Sequence, residues 1–571
     1  MEKQIRDSKL SRRSFLTGTA ATAGLAALAG LAACSPSGES GKGGSSESNG
    51  STNGSSTPGS GSTPTGNQTT YPSEAVWPVV EELDIQAAGE GEIAFEAETI
   101  SESDIVATHE VDVVICGQGV AGDAAALSCA DQGLNTVVVE KQSRGNYNSA
   151  TLGGVDSKVH KHWGMTYDLD AWMSDAMLDC AFQGDMTLYK HFLESSGEAV
   201  DWYLSKFDNQ NLDDYPLTFA AGDFPDFRDE WDKTSLSRSW NTSFNLPYPA
   251  GELADILADM ITAAGVEIRF STPACQLVTD DSGNVTGVIV KSEEGYEQYN
   301  CAKGVVLATG GYEFNTQMLR ERCRPRQTPS HWLTGAFGNT GDGHQMGVAI
   351  GAAEDDFPQS IMLDPEQLMP FMRVNKLGKR FHPEYSPYGH QALAIQAQPG
   401  TYDFYIVDSE IETKIDKIWT PSSSCYGPKE IWAGAARSEN ALVADTLEEL
   451  AELMEVPVEA FVETVNRWNQ MAAAGKDEDF NFPGDMMMTI DTPPYYATKE
   501  YADGLCTAGG LLVNTECQVL DKERAPIDGL YAIGLTSGGM FFNTYPHNLN
   551  CLSHTRNCMM GYVVGNVLAE K

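Results

Sequence analysis

The feature that most constrains the fold is a glycine-rich turn between an apolar strand and a small-residue helix. Val111 to Cys116 form a short apolar run, and Gly117-Gln118-Gly119-Val120-Ala121-Gly122 follows at once. In such a turn the first glycine permits a tight bend, the second admits a phosphate to the backbone, and the third lets helix and strand pack closely. The free N–H groups at the start of the helix favour an anion. The pattern predicts an α/β domain that binds a dinucleotide.

The next strand completes this signature. Thr136 to Glu140 reads as a buried strand, and Glu140 lies 18 residues after Gly122. A carboxylate at this point is placed to accept a hydrogen bond from a ribose hydroxyl. We therefore predict that the turn and the strand end contact the dinucleotide through Gly117, Gly119, Val120, Ala121, Gly122, Glu140 and Lys141.

Two distant segments indicate which dinucleotide is bound. Gly304 to Gly311 is an apolar strand that runs into a Thr-Gly-Gly turn, and Gly529 to Gly534 has a similar pattern near the end of the chain. Both resemble the segments that close the FAD site in glutathione-reductase-like flavoproteins. The predicted cofactor is therefore FAD. Its further predicted contacts are Asn148, Ser149, Gly153, Gly154, Ala274, Thr309, Gly310, Asp342, Gly534 and Leu552.

The first residues predict export and an anchor. Ser11-Arg12-Arg13-Ser14-Phe15-Leu16 matches a twin-arginine signal, and the small-residue apolar run from Thr19 to Ala33 is too short for a good membrane span. The run ends in Leu31-Ala32-Ala33-Cys34, which resembles a lipobox. We expect lipidation at Cys34 and a location on the outer face of the cytoplasmic membrane, at the cell surface.

Charge and cysteine usage exclude several classes of function. The formal net charge of −43 repels nucleic acid, so no nucleic-acid partner is predicted. No Cys-x-x-Cys pair is present, and the sequence therefore carries neither a c-type haem motif nor iron–sulfur spacing. His160 and His162 lack a third ligand nearby, so no metal site is predicted.

Taken together, these segments resemble the flavoprotein family of soluble fumarate reductases and 3-ketosteroid dehydrogenases. The resemblance covers about residues 108–571 and includes Thr340-Gly341-Asp342-Gly343, Gly378-Lys379-Arg380-Phe381 and Cys506-Thr507-Ala508-Gly509-Gly510-Leu511. It implies a Rossmann-like, glutathione-reductase-type FAD domain with an inserted α+β capping domain. It also implies hydride transfer between flavin N5 and a carbon–carbon bond beside an electron-withdrawing group, with the substrate between cap and flavin.

The resemblance and the composition together predict a division of the chain into five parts. These are a signal at 1–34, a flexible Ser/Gly/Thr linker at 35–78, a first part of the FAD-binding domain at 79–354, a capping domain at 355–503 and a second part of the FAD-binding domain at 504–571.

The sequence departs from the fumarate branch of this family at the substrate positions. Fumarate reductases have one arginine shortly after Gly-x-Arg-Phe and a second near the C-terminus. Here those places hold Glu384-Tyr385-Ser386-Pro387-Tyr388 and Thr544-Tyr545-Pro546, which are similar to the ketosteroid dehydrogenases. The resemblance implies catalytic roles for Tyr388 and Tyr545. A neutral phenol can polarise a carbonyl, but it cannot neutralise a dianion.

The residues after Tyr545 also differ from the ketosteroid dehydrogenases, which continue with glycines. This chain has His547-Asn548-Leu549-Asn550. A backbone donor to the substrate is still expected at Leu549, and His547 or Asn548 is expected to add a polar group. Cys506 replaces a family histidine and is expected to line the substrate site.

These residues predict a reductase of a carbon–carbon double bond conjugated to a carbonyl, in an apolar, enone-type substrate. Tyr545 holds the carbonyl, and Tyr388 protonates the α-carbon. A separate membrane-associated electron donor, a cytochrome or quinol system, is expected. The alternatives are the oxidative 3-ketosteroid dehydrogenase reaction, reduction of an unsaturated carboxylate, and a surface flavoprotein without turnover.

Overall fold

The computed structural model describes residues 100–571 with internal gaps. The gaps are at 148, 218–241, 325–328, 330–331, 333–335, 366–369, 385, 387, 419–432, 435, 544 and 547–550. The predicted signal with Cys34, the linker and the predicted site residues Asn148, His547, Asn548 and Leu549 lie outside the described residues. For Tyr388 the backbone alone is described.

The described residues contain fifteen strands. They are β1 (Ile105–Cys116), β2 (Thr136–Val139), β3 (Thr151–Leu152), β4 (Phe244–Asn245), β5 (Glu267–Arg269), β6 (Ala274–Thr279), β7 (Val285–Ser292), β8 (Gly295–Leu307), β9 (Ile361–Pro365), β10 (Met372–Val374), β11 (Tyr402–Asp408), β12 (Leu442–Ala444), β13 (Tyr495–Thr507), β14 (Gln518–Leu520) and β15 (Pro526–Ala532).

Twelve α-helices lie in the same part of the chain. They are α1 (Val120–Asp131), α2 (Lys158–His162), α3 (Leu169–Asp179), α4 (Met186–Leu204), α5 (Ala250–Ala263), α6 (Thr316–Arg322), α7 (Asp342–Ala349), α8 (Tyr388–Gln396), α9 (Ile411–Lys414), α10 (Leu447–Leu453), α11 (Val458–Ala474) and α12 (Leu552–Glu570). None of these helices is long and apolar enough to span a membrane.

The larger sheet has the order β14-β15-β8-β1-β2-β5, and β6 and β7 form an antiparallel extension beside β8. The strands from β15 to β5 run parallel, whereas β14 is antiparallel to β15. The carboxyl ends of β1, β2, β8 and β15 therefore meet along one edge. This arrangement confirms the predicted α/β class.

The apolar run at Val113 to Cys116 is the buried half of β1, and its side chains pack into the main core. The first half of β1 alternates between half-buried and exposed residues, so it faces solvent on one side. In the same way the apolar run at Gly304 is the last part of the 13-residue strand β8. The sequence analysis detected the buried halves because their apolar runs are continuous.

Helix α1 is made largely of small residues and is buried on most of its surface. It packs on α12, and glycines bring the two helices close together. A Cβ on Gly561 would lie 2.6 Å from the Cβ of Ala124 and 2.7 Å from the backbone oxygen of Ala121. A Cβ on Gly565 would lie 2.3 Å from Ser128 Oγ.

The second sheet has the order β10-β11-β13-β12, with β9 paired to the other end of β13. Its own apolar core lies between the sheet and helices α10 and α11, around Trp468 and Phe461. A further apolar cluster joins this region to the first one, because it contains Tyr312 and Met318 as well as Ala392 and Ala502. Strand β13 thus connects the second sheet to the rest of the molecule.

The contact between α1 and α12 makes a prediction about stability. Gly561→Ala should lower the free energy of unfolding by about 1–3 kcal/mol, because the added methyl group meets the backbone and Ala124 within a packed interface. Gly251→Ala in α5 is the matched control, since a Cβ there meets nothing within 4 Å, and it should be neutral or slightly stabilising. Denaturant unfolding of both variants measures the difference, and equal effects would contradict the prediction.

Candidate active site

The turn between β1 and α1 has the geometry that the glycine pattern predicts. Gly117 has φ +111°, and a Cβ there would lie 2.3 Å from the backbone oxygen of Ala308. A Cβ on Gly122 would lie 2.0 Å from the backbone oxygen of Gly117. Side chains at these two positions would push α1 away from the ends of β1 and β8. The start of α1 is therefore held close to the strand ends, where it can bind an anion.

A cavity of about 380 Å³ opens above this turn and extends from the strand ends of the larger sheet to β13. It brings together most of the residues that the sequence analysis proposed. The predicted residues that line it are Gly117, Gly119, Val120, Ala121, Glu140, Lys141, Ser149, Ala274, Thr309, Gly310, Asp342, Cys506, Gly534 and Tyr545.

Four predicted contacts are not among the residues that line the cavity. Gly122 packs the turn, as described above. The backbone N–H of Gly153 donates to Thr555 Oγ1 at 2.7 Å, and a Cβ on Gly154 would lie 3.2 Å from Ser196. Leu552 is fully buried in the main core. These residues support the wall of the cavity from behind.

Glu140 and Lys141 form one end of the cavity. The two carboxylate oxygens of Glu140 accept hydrogen bonds from the backbone N–H groups of Gln118 and Gln142, each at 2.8 Å. The ammonium of Lys141 lies 2.8 Å from Asp342 and donates to Thr340 at 2.6 Å. The predicted ribose-binding carboxylate thus also fixes the glycine turn, and Lys141 is neutralised by Asp342.

The opposite end of the cavity is formed where β13 leaves the second sheet. Leu505 and Cys506 of β13 line it together with Met362 of β9 and Tyr545. Cys506 is buried, and its Sγ lies 4.0 Å from Met362 Sδ. Tyr545 is 4% exposed, and its hydroxyl oxygen accepts a hydrogen bond from the backbone N–H of Ser553 at 2.8 Å.

Tyr388 is the first residue of α8, and Glu384 lies four positions before it. Glu384 is bound by the guanidinium of Arg380 through two hydrogen bonds, at 2.7 and 2.6 Å. Arg380 also binds Asp477, at 3.0 and 2.9 Å, and all three side chains are buried. Because buried charges are stable only when paired, this cluster holds Glu384 in place beside Arg380 and Asp477.

Several residues that line the cavity were not predicted from the sequence. Thr151, Cys551, His554 and Asn557 line the same part of the cavity, and Gln118 lies within the glycine turn itself. The chain brings Thr151 and His554 together across 403 positions. Local sequence patterns cannot predict a contact between such distant residues. Gln118, in contrast, could have been proposed because it lies inside the glycine motif that begins at Gly117.

A buried carboxyl group lies in the first turn of α1. Asp123 is fully buried and accepts hydrogen bonds from the Tyr147 hydroxyl at 2.5 Å and from Gln118 Nε2 at 3.0 Å. Burial raises the pKa of Asp123 to about 7, although the two hydrogen bonds oppose the shift. The group is therefore largely neutral in mildly acidic solution, directly behind the predicted phosphate site.

These residues fit an FAD molecule. The glycine turn leaves room for a pyrophosphate against the start of α1, and Glu140 lies at the ribose end. His554 and Asn557, which also line the cavity, each have a buried polar atom, Nε2 and Oδ1, without a partner among the described residues. Buried polar atoms are usually paired, so both are candidates for a hydrogen bond to a polar ligand.

The fold and the cavity thus define the class of protein, an FAD-dependent oxidoreductase with a second domain beside the flavin end. The family described as FAD binding domain matches residues 112–552. The chain is 30% identical to the probable fumarate reductase Ifc3 of Shewanella frigidimarina over 453 residues, which cover 76% of this chain and 71% of that protein. It is 26% identical to the 3-oxosteroid 1-dehydrogenase of Mycolicibacterium smegmatis over 547 residues, covering 77% and 94%.

A solved structure establishes the shared fold. The 3-ketosteroid-Δ4-(5α)-dehydrogenase from Rhodococcus jostii RHA1, in complex with 4-androstene-3,17-dione, matches this chain with a TM-score of 0.65 at 21% identity, covering 82% of this chain and 99% of that one. The chain belongs to the FAD-binding flavoprotein family that contains fumarate reductases and 3-ketosteroid dehydrogenases. It is an FAD-dependent oxidoreductase that acts on CH–CH groups.

We expect FAD binding to depend on pH because of the buried carboxyl group of Asp123. A bound pyrophosphate is negatively charged, so FAD binds better when Asp123 is protonated, and its affinity should fall as the pH rises through about 7. We expect a loss of about tenfold between pH 6 and pH 8. The affinity at each pH can be measured by monitoring the release of FAD from the holoenzyme through flavin fluorescence.

Asp123→Asn is the control for this prediction, because it keeps the shape of the side chain and removes the titrating group. The nearby Glu140 remains in both proteins, and burial also raises its pKa, so any part of the pH dependence that it causes persists in the variant. A pH profile that is unchanged in Asp123→Asn would show that Asp123 is not the responsible group.

Proposed function

We propose that this chain is an extracytoplasmic, FAD-dependent reductase of carbon–carbon double bonds conjugated to a carbonyl, acting on neutral, apolar substrates such as steroid-like enones. The observation that carries the proposal is the position of Tyr545. Tyr545 lines the end of the cavity opposite Glu140, and the resemblance described above implies an arginine in this part of the chain in the fumarate reductases. A phenol suits a ketone or lactone carbonyl, because it offers one neutral O–H donor.

The charges around the cavity support a neutral substrate. Among the described lining residues Lys141 is the permanent cation, and it is paired with Asp342 at the end that holds Glu140. Among the residues that the structure describes, those at the substrate end are Met362, Leu505, Cys506 and Tyr545, and these four carry no positive charge. A dicarboxylate placed there would lose its hydration without gaining an ion pair. An apolar enone has no such cost.

The hydrogen bond on Tyr545 supports its role as the donor to the carbonyl. The Ser553 N–H fills one acceptor site of the phenol oxygen, and the proposed contribution of Tyr545 to a substrate is its O–H. The N–H also stabilises negative charge on that oxygen, which strengthens the O–H as a donor. Donation to the carbonyl makes the β-carbon electrophilic and stabilises the enolate that follows.

The bound FAD supplies hydride transfer from its flavin to the β-carbon. Tyr388 is the proposed general acid that protonates the α-carbon. The Arg380–Glu384–Asp477 cluster fixes Glu384, four residues before Tyr388 at the start of α8. The two hydrogens added to the substrate are then a hydride at the β-carbon and a proton at the α-carbon, while Tyr545 binds the carbonyl oxygen.

The cellular setting of the proposal comes from the signal at Arg12-Arg13 and from Cys34. Twin-arginine export carries folded proteins, which suits a chain that acquires FAD before export. Outside the cytoplasm a reducible enone can serve as a terminal electron acceptor. The electrons then come from a separate membrane-associated donor, a cytochrome or quinol system, and the lipid at Cys34 keeps the enzyme beside it.

Removal of the Tyr545 hydroxyl tests the proposed donor. Tyr545→Phe should lower kcat/KM for a neutral enone by about 10²–10³-fold, the usual effect of losing one donor to a developing oxyanion. Its FAD content should be unchanged. Tyr562→Phe is the matched control, because this hydroxyl binds Glu198 on the surface, and it should retain full activity. Anaerobic oxidation of the chemically reduced enzyme by the enone is the assay.

A substrate panel tests the proposed class. The reduced enzyme should be oxidised by neutral enones and not by fumarate or urocanate. Oxidation by the carboxylates alone would overturn the proposal. Arg324, which donates to Asn543 at 3.2 Å, would then be the cation to replace, in Arg324→Gln. Dehydrogenation of a saturated ketone with a quinone acceptor, without enone reduction, would instead support the oxidative direction. A flavin that reacts with none of these would indicate an electron carrier.

The location is tested with the first residues of the full chain. Replacing Arg12 and Arg13 together by lysine should leave the folded, FAD-containing protein in the cytoplasm, because twin-arginine signals need the pair. Cys34→Ser should be exported but released from the membrane. Fractionation of cells that express each variant measures both outcomes. Membrane attachment that is retained in Cys34→Ser would exclude the proposed anchor.

A further inference from the structure

His554 lies in the first turn of α12 and lines the cavity. Its Nδ1 lies 2.5 Å from the backbone oxygen of Thr151 in β3. A carbonyl oxygen accepts hydrogen bonds and cannot donate them, so Nδ1 carries the hydrogen. In the neutral ring Nε2 is then an acceptor with an available lone pair. The contact with Thr151 therefore fixes Nε2 as the ring nitrogen that can accept a hydrogen bond.

Nε2 is buried and has no hydrogen-bond partner among the described residues. Burial also lowers the pKa of His554, which keeps the ring neutral and Nε2 an acceptor. Asn557, three residues along the same helix, has a buried Oδ1 in the same condition and lines the same cavity. Two acceptors on one face of α12 thus lack partners, and both point to a ligand with N–H or O–H groups.

The neighbours of this face indicate which part of a bound FAD it would meet. On one side a Cβ on Gly534 would lie 3.8 Å from Asn557 and 2.9 Å from Ala121 in the pyrophosphate turn. On the other side the N–H of Ser553 binds Tyr545 at the substrate end. The face therefore borders the stretch between the pyrophosphate and the reactive part of the flavin. The donors of FAD in that stretch are the ribityl hydroxyls and the N3–H of the flavin ring.

We propose that Nε2 of His554 accepts a hydrogen bond from an O–H or N–H of bound FAD, with the Thr151 carbonyl fixing the tautomer that makes this possible. His554 is then an FAD-binding residue that holds the flavin beside Tyr545. The proposal concerns the cofactor alone, so it stands or falls independently of the substrate class.

Two substitutions of His554 distinguish the contributions of its two ring nitrogens. His554→Asn places an amide N–H where Nδ1 was, so it keeps the bond to Thr151 and loses the acceptor that faces FAD. His554→Gln places an amide oxygen close to the position of Nε2. We expect FAD to dissociate from the His554→Asn holoenzyme about tenfold faster than from the native enzyme, and from His554→Gln within about threefold of the native rate. Stopped-flow flavin fluorescence on dilution measures these rates.

The control is His162→Asn, because His162 lies outside the cavity and binds Asp213 on the surface. Its FAD dissociation rate should equal that of the native protein. A native rate in His554→Asn would overturn the proposal. Equal acceleration in the Asn and Gln variants, with a lower unfolding temperature in both, would also overturn it, since it would assign His554 a role in folding alone.

A cofactor analogue identifies the donor. FAD methylated at N3 lacks the ring N–H and can be exchanged into the holoenzyme from excess. If the N3–H is the donor, the native enzyme and His554→Asn should release this analogue at the same rate. If a ribityl hydroxyl is the donor, the tenfold difference should persist. Either result supports the hydrogen bond and assigns its source.

Discussion

The close approach of α1 to the strand ends is the constraint on which the rest of the structure depends. At Gly117 and Gly122 a methyl group would overlap backbone oxygens at 2.3 and 2.0 Å, so the helix can reach the sheet at these positions only without side chains. On its other side α1 is held by α12 through Gly561. Since α12 also carries His554, the phosphate end and the flavin end of the cavity are set by one helix pair.

The predicted pyrophosphate site offers backbone dipoles rather than unpaired cationic side chains among the residues that the structure describes. The described lining residues place Lys141 beside Asp342, and no second lysine or arginine among them faces the turn. Burial also makes several acids hold a proton more readily than exposed carboxyl groups. It raises the pKa of Asp123 and of Glu313 to about 7 and that of Asp355 to about 6. Near neutral pH a part of the Asp123 population is therefore protonated, which reduces the negative charge behind the predicted phosphate site.

The parts of this arrangement that local sequence encodes were predictable. The glycine spacing and the continuous apolar runs predicted the α/β class, a dinucleotide site and the buried halves of β1 and β8. The choice of FAD came from the resemblance of the segments at Gly304 and Gly529 to flavoproteins. In the first half of β1 half-buried and exposed residues alternate, and β6 is mostly half-buried. Neither segment has a continuous apolar run, so neither was predicted as a strand. Contacts such as Thr151 with His554 depend on how distant segments meet. Gly153 and Gly154 were placed on the cavity by analogy, whereas they pack against Thr555 and Ser196 behind it.

Strand β13 pairs with two different strands along its length and so links the second sheet to the cavity. Its first residues, from Tyr495 to Tyr501, pair regularly with β11, and its last residues pair with β9 and carry Cys506 into the cavity wall. The pairing with β9 shifts register between Gly504 and Cys506. Leu505 lies at this register shift and lines the cavity together with Cys506. The irregularity that interrupts the regular ladder therefore also supplies part of the cavity wall, so the packing of the second sheet and the shape of the cavity share one stretch of backbone.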